Sequence, residues 1–134
     1  MLELNLNIKI IKSNKLLKLR SKILRNNINP FKCIYPGDDE KTSFHIGAYI
    51  DGVLVGGVSI IKNKCSHKDF PNCYQLRGLF VDDDHQKKGI GKMIINKVES
   101  LLKNKKISYL WMNARVKALD FYLKLNYNNS EIRY

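Results

Sequence analysis

The sequence predicts a mixed α/β domain, with a central sheet of about six strands flanked by three to four helices. Three observations carry that prediction. Segments with the two-residue alternation of strands and segments with the helical period follow one another along the chain. A length of 134 residues with 44% hydrophobic residues suits one packed core, so residues 1–134 read as a single domain. Finally, Tyr74 to Leu102 reads as a strand, a glycine-containing loop and an amphipathic helix, a unit from which layered α/β domains are built.

In chain order, Leu6 to Ile11 alternates apolar Leu6, Ile8 and Ile10 with polar neighbours and predicts a first strand. Ser13 stands where an N-cap belongs. Leu16, Leu17, Leu19, Ile23 and Leu24 then form a helical stripe that ends before Asn26-Asn27. Pro36-Gly37-Asp38-Asp39 is a turn by composition. Thr42 to Ile50 and Val53 to Ile61 form a hairpin across Asp51-Gly52, a pair suited to a type I′ turn. Gly56-Gly57 marks a bulge or a close backbone approach.

Asn63 to Asn72 is a polar loop, and Tyr74 to Val81 the next strand. After the acidic turn Asp82-Asp83-Asp84, a helix begins near Ile90 and carries Ile90, Ile94, Val98, Leu101 and Leu102 on its inner side, ending at Asn104-Lys105-Lys106. Ile107 to Asn113 is a strand and Val116 to Leu125 a last helix, with Ala118, Phe121, Tyr122 and Leu125 on one face. Tyr127 leads into a short final extended segment.

Composition narrows the function classes. No apolar run approaches eighteen residues, and the N-terminus lacks the apolar block of a signal peptide, so a cytoplasmic protein with no membrane span is expected. The formal charge is +12, from 24 Lys and Arg against 12 Asp and Glu. That balance attracts polyanions, but the lysines are scattered among asparagines and no helix concentrates base-reading residues. A basic nucleic-acid-binding protein is therefore kept only as an alternative, and no specific nucleic acid is expected. Three cysteines, Cys33, Cys65 and Cys73, suit reduced thiols better than a disulfide framework. The Cys65, His67, Cys73 spacing matches no usual structural zinc pattern, so no metal is expected.

The chemistry concentrates between Gln86 and Lys92. At a helix start the first backbone N–H groups lack partners and the dipole is positive, so an anion can bind there. Gly89 and Gly91 present no Cβ, and Lys87, Lys88 and Lys92 add charge. The glycines are too close together for a P-loop, no Ser or Thr follows Lys92, and the third glycine of the dinucleotide fingerprint is missing.

What remains, Gln86-x-x-Gly89-x-Gly91 between a strand and a helix, resembles the pyrophosphate loop of the GNAT superfamily of acyl-CoA-dependent N-acyltransferases. Residues 110 to 127, LWMNARVKALDFYLKLNY, resemble the family's later strand and helix. Earlier, Leu19-Arg20, Leu24-Arg25, Pro36-Gly37-Asp38-Asp39 and Phe44-His45-Ile46-Gly47 look like its small stand-alone members. The resemblance runs from about Asn7 to Glu131.

It implies a GNAT-like sheet whose splayed edge binds acyl-CoA, with acetyl-CoA as co-substrate. The amides of Gln86, Lys87, Lys88, Gly89, Ile90, Gly91 and Lys92 would hold the pyrophosphate. Leu79, Phe80 and Val81 would offer main-chain groups to the pantetheine arm, Asn113 would bond the pantetheine amides, and Arg115 or Lys117 would meet the nucleotide phosphates. Tyr122 would be the general acid at the departing sulfur.

Many relatives carry Glu or His at the positions of Gln75 and Arg77, neither of which can accept a proton near neutral pH. This leaves His45, a relayed water, or an already neutral amine. The first helix and the following loop would shape the acceptor side, with Arg20, Arg25 and the loop through Phe31 near the substrate. The implied reaction is acyl transfer to an amine of a small molecule or protein; the alternative is a catalytically silent acyl-CoA-binding module. Relatives usually add a strand after the region of Ile132 to Tyr134, so the expectation is that the edge is finished differently, that a partner supplies a strand, or that the protein is truncated relative to its relatives; a homodimer is a further expectation.

Overall fold

In the computed structural model, residues 5–65 and 71–128 are described. They form a five-stranded sheet in the order β1 (Leu6–Ile11), β2 (Phe44–Ile50), β3 (Val53–Lys62), β4 (Cys73–Val81), β5 (Tyr109–Trp111). The first four strands run antiparallel and β5 lies parallel to β4. The helices are α1 (Leu17–Leu24), α2 (Ile90–Asn104) and α3 (Leu119–Lys124), with single 3₁₀ turns at Ser13–Lys15, Pro30–Cys33, Asp83–His85 and Val116–Ala118. The mixed α/β architecture is the one expected, with five described strands in place of about six. Any strand after Tyr127 lies outside the described residues, as does His67.

The β2–β3 hairpin turns where its sequence requires. Asp51 has φ 50° and Gly52 φ 82°, and positive φ at both central residues defines the type I′ turn whose twist matches its strands. Gly57 lies under α1's approach: a Cβ there would collide with Leu16 Cδ2. The core lies between one sheet face and α2, whose Ile90, Ile94, Ile95, Val98 and Leu102 are buried against Phe44, Ile46, Val58, Ile60 and Leu76. Each such side chain removed from water stabilises the fold by about 1.5–3 kcal/mol, so α2 is held by its inner face rather than by propensity.

Two expectations for the first helix are corrected. Ser13 does not cap it: Ser13 lies in the preceding 3₁₀ turn, where its hydroxyl donates to Asp39 Oδ1 at 3.1 Å, and α1 begins four residues later without a side-chain cap. The end of α1 is as expected, because Asn26 and Asn27 adopt positive φ. Arg20, expected near the substrate, is instead 0% exposed. Its Nη1 donates to Cys33 O at 2.7 Å and to Asp38 Oδ2 at 2.8 Å, and its Nη2 to Ser59 Oγ at 2.6 Å. A buried guanidinium demands such partners, and here they tie α1 to the Pro36–Asp39 turn and to β3. Arg25 is exposed.

Candidate active site

The ladder between β4 and β5 is short. Pairing covers Cys73 with Tyr109, Tyr74 with Leu110 and Gln75 with Trp111, and then stops. Beyond Gln75, β4 runs six more residues to Val81 without a β5 partner, so its outer edge is open. The expected strand Ile107 to Asn113 is thereby reduced to the three residues that pair.

On its inner side β4 carries a bulge. Gly57 pairs with Phe80 and Ser59 with Arg77, so three steps on β4 oppose two on β3. The extra residue falls at Gly78–Leu79, and Gly78 takes φ 66°, which glycine adopts without Cβ strain. The open edge therefore bends where a ligand would enter.

The loop beyond β4 leads directly to α2. Gln86 Nε2 donates to Val81 O at 2.9 Å and to Asp83 Oδ1 at 3.1 Å, anchoring the loop to the end of the strand. Lys87 has φ 62° and Gly89 φ 81°, and Gly89 is the N-cap of α2 without a side-chain cap bond. Met93 N closes the first helical turn on Gly89 O. Among the described residues, the amides from Lys87 to Lys92 donate to no carbonyl or side chain. A Cβ on Gly89 would meet nothing within 4 Å, so its vacant side faces open space. Gly91 differs: a Cβ there would lie 3.3 Å from the Phe121 ring. One glycine leaves open space beside the loop, and the other lets α3 rest on the start of α2.

Tyr122 follows Phe121 on α3. Phe121 and Tyr122 meet edge to face at 5.1 Å, and Tyr122 meets Tyr127 at 6.0 Å. Ala118, Phe121, Tyr122 and Leu125 all pack on the core, as their shared face requires. Burial pushes the Tyr122 phenol up to about 12. The Tyr127 phenol is pushed up further, by burial and by the Glu99 carboxylate it bonds. Leu79 and Val81 pack on the same cluster as Tyr122, whereas Asn113, Arg115 and Lys117 are exposed.

His45 is not placed as a base. Its ring is 5% exposed, with Nδ1 2.7 Å from Ser59 Oγ and Nε2 2.9 Å from Asp38 O. A backbone carbonyl only accepts, so Nε2 carries the proton and Nδ1 accepts from Ser59. Both nitrogens are thus committed to the Arg20 network. Gln75 is buried and accepts from Asn63 Nδ2 at 2.8 Å.

The arrangement missed by sequence reasoning is the stack beside Gly78. Two guanidinium groups lie over the Tyr35 ring, with Arg20 Cζ 3.9 Å and Arg77 Cζ 4.2 Å from its centroid. Gly78 inside a strand pattern was the available signal for the bulge; nothing local announces Tyr35.

Residues 17–127 match the acetyltransferase (GNAT) family. The chain belongs to this family. It is accordingly an acyl-CoA-dependent acetyltransferase. The uncharacterized N-acetyltransferase YitI of Bacillus subtilis (strain 168) is 27% identical over 122 residues, covering 91% of this chain and 82% of that protein. The fold is that of an aminoglycoside acetyltransferase from an uncultured soil metagenomic sample, with TM-score 0.77, 16% identity and 97% of this chain and 96% of that chain covered. It is also that of the aminoglycoside N-acetyltransferase AAC(6′)-Iy in complex with CoA, with TM-score 0.75, 14% identity and 99% and 94% covered. Among the described residues, no helix of this GNAT chain is long and apolar enough to cross a membrane, and no group of His, Cys, Asp and Glu could hold a metal ion.

Proposed function

We propose that this protein transfers an acetyl group from acetyl-CoA to a primary amine of a small molecule or a protein. The observation that carries the reading is the run of unpartnered amides from Lys87 to Lys92, opening onto the empty side of Gly89 where β4 has lost β5. A diphosphate bound there would receive several N–H donors, the α2 dipole and the charges of Lys87, Lys88 and Lys92. The pantetheine arm would add to the free edge of β4 at Leu79, Phe80 and Val81, as an extended peptide adds to a sheet. Asn113, at the mouth of the splay, is a side-chain donor for the same arm. The bulge at Gly78–Leu79 turns main-chain groups out of the ladder, where one can donate to the thioester carbonyl as charge develops.

Tyr122 serves the departing sulfur. A thiolate of ordinary basicity, about 8.5, is too weak a base to strip a phenol held near 12. Tyr122 therefore keeps its proton and stabilises the sulfur by donating a hydrogen bond. Among the described residues, Gln75 and Arg77 cannot take the amine's proton and His45 is committed, so water is the acceptor in this reading. The positive charge of Arg77 disfavours an ammonium nearby, so the amine reaches the thioester neutral and loses its proton to water. The rate should then rise with pH until the acceptor's own pKa, and follow that pKa when the acceptor is changed.

The test is a thiol-release assay with acetyl-CoA over a panel of amines, beside thermal unfolding with the donor. A ligand at a hundredfold its dissociation constant adds about 2.7 kcal/mol, so absent stabilisation defeats the reading. Stabilisation without turnover on any amine would favour a silent acyl-CoA-binding module, which the lack of a base also suits.

A further inference from the structure

The acceptor side contains a charge that the fold does not use. The Arg20 and Arg77 guanidinium groups both lie over the Tyr35 ring, but only Arg20 is paired with a carboxylate among the described residues, Asp38 at 2.8 Å. The Arg77 side chain makes no hydrogen bond or ion pair with any described residue; its guanidinium lies over the Tyr35 ring. It is half-buried, and it lies immediately before the bulge at Gly78, on the stretch of β4 that β5 no longer covers.

Its position is also fixed. Tyr35 N donates to Asp38 Oδ2 at 2.9 Å, and Asp38 is held in turn by Arg20, so the backbone that carries the Tyr35 ring is tied to the buried network. A Cβ on Gly78 would fall 2.6 Å from the Tyr35 hydroxyl, which places that ring directly against the bulge. A guanidinium stacked on one face keeps its in-plane N–H donors free, in the fork that matches a carboxylate or phosphate. Partial desolvation raises the cost of leaving it unpaired and strengthens any anion that pairs with it.

We propose that Arg77, oriented by Tyr35, selects acceptor amines that carry an acidic group, a carboxylate first and a phosphate by the same chemistry. This rests on the acetyltransfer reading above and gives it a substrate class. It separates this protein from catalysts of polycationic amines, because an acceptor with several ammonium groups would meet the unpaired charge of Arg77 and a net charge of +12.

The experiment compares kcat/KM with acetyl-CoA, each value divided by the acceptor's neutral-amine fraction at the assay pH, for three matched sets: amino acids against their carboxamides, aminoalkyl phosphates against the corresponding amino alcohols, and an aminoglycoside. It is run on the native chain, Arg77→Gln and Arg77→Lys, and calorimetry records binding of each acceptor alone. The native protein should favour the acidic member by on the order of tenfold to a hundredfold, the range of a charge-assisted hydrogen bond. Arg77→Gln should bring that ratio towards one, and Arg77→Lys should restore part of it. Which set shows the larger ratio distinguishes carboxylate from phosphate.

A preference for the carboxamide, the amino alcohol or the aminoglycoside overturns the proposal, as does a ratio unchanged in Arg77→Gln. Donor binding with neither turnover nor calorimetric binding of acidic amines also overturns it while leaving acetyl-CoA recognition standing. Failure to bind acetyl-CoA at all removes the underlying reading instead.

Discussion

Two regions of one sheet treat their polar groups in opposite ways. Beneath α1, Arg20, Asp38, Ser59 and His45 are buried and exchange hydrogen bonds between 2.6 and 2.9 Å. At the far side, the amides from Lys87 to Lys92 are left unpaired on the surface, next to a strand edge that has lost its neighbour. Burial explains the difference. A polar group taken from water must find a protein partner or cost about 1–3 kcal/mol, whereas an exposed one can wait for a ligand. The first region is therefore a structural knot, although its residues are of the types usually suspected of catalysis. The second region has almost no conspicuous side chains and is the proposed binding site.

The largest test of that contrast is Arg20→Met. It strands the Asp38 carboxylate in the interior and should cost about 3–5 kcal/mol of stability, read as a lower denaturation midpoint, with acetyl-CoA affinity intact in the protein that remains folded. If stability were unchanged and turnover lost, the knot would belong to the site after all.

Tyr122→Phe is expected to act the other way. It should lower kcat by about a hundredfold while leaving donor affinity in place, because the hydroxyl is asked to act only as the sulfur departs. Equal loss of binding and turnover would mark the ring as packing alone.

The same phenol gives a pH signature of about 3 kcal/mol. Tyr122 is neutral in the fold up to about 12 but ionises near 10 once unfolded. The stability it contributes is full below pH 10 and is lost as pH rises from 10 towards 12, since the unfolded chain releases its proton first. Denaturant titrations at rising pH should show this decline, and Tyr122→Phe should make it shallower.

The smallest effect expected is from Gly89→Ala. Its Cβ meets no protein atom, so the fold should lose only the roughly 1–2 kcal/mol of a positive φ. Acetyl-CoA affinity should fall about tenfold as the methyl enters the anion cradle. Gly91→Ala makes the internal comparison: its methyl is directed at Phe121, so its effect should be on α3 packing and thermal stability more than on the donor.

Much of the fold is legible in the order of residues. The hairpin at Asp51-Gly52, the amphipathic face of α2, the shared face of Ala118, Phe121, Tyr122 and Leu125, and the strand–loop–helix around Gly89 all depend on residues within a few positions of one another. Periodicity and turn chemistry are local, so the sequence by itself determined these elements and the loop that names the family.

Tertiary structure alone decided which charges are spent and which are spare. Arg20 meets Asp38 across 18 positions and Ser59 across 39, which turned an expected substrate contact into a buried tie. Gly91 was claimed by Phe121, and β5 ended after three pairs, leaving β4 open. Whether a polar group finds its partner depends on which distant segments the fold brings together, and no spacing along the chain encodes that.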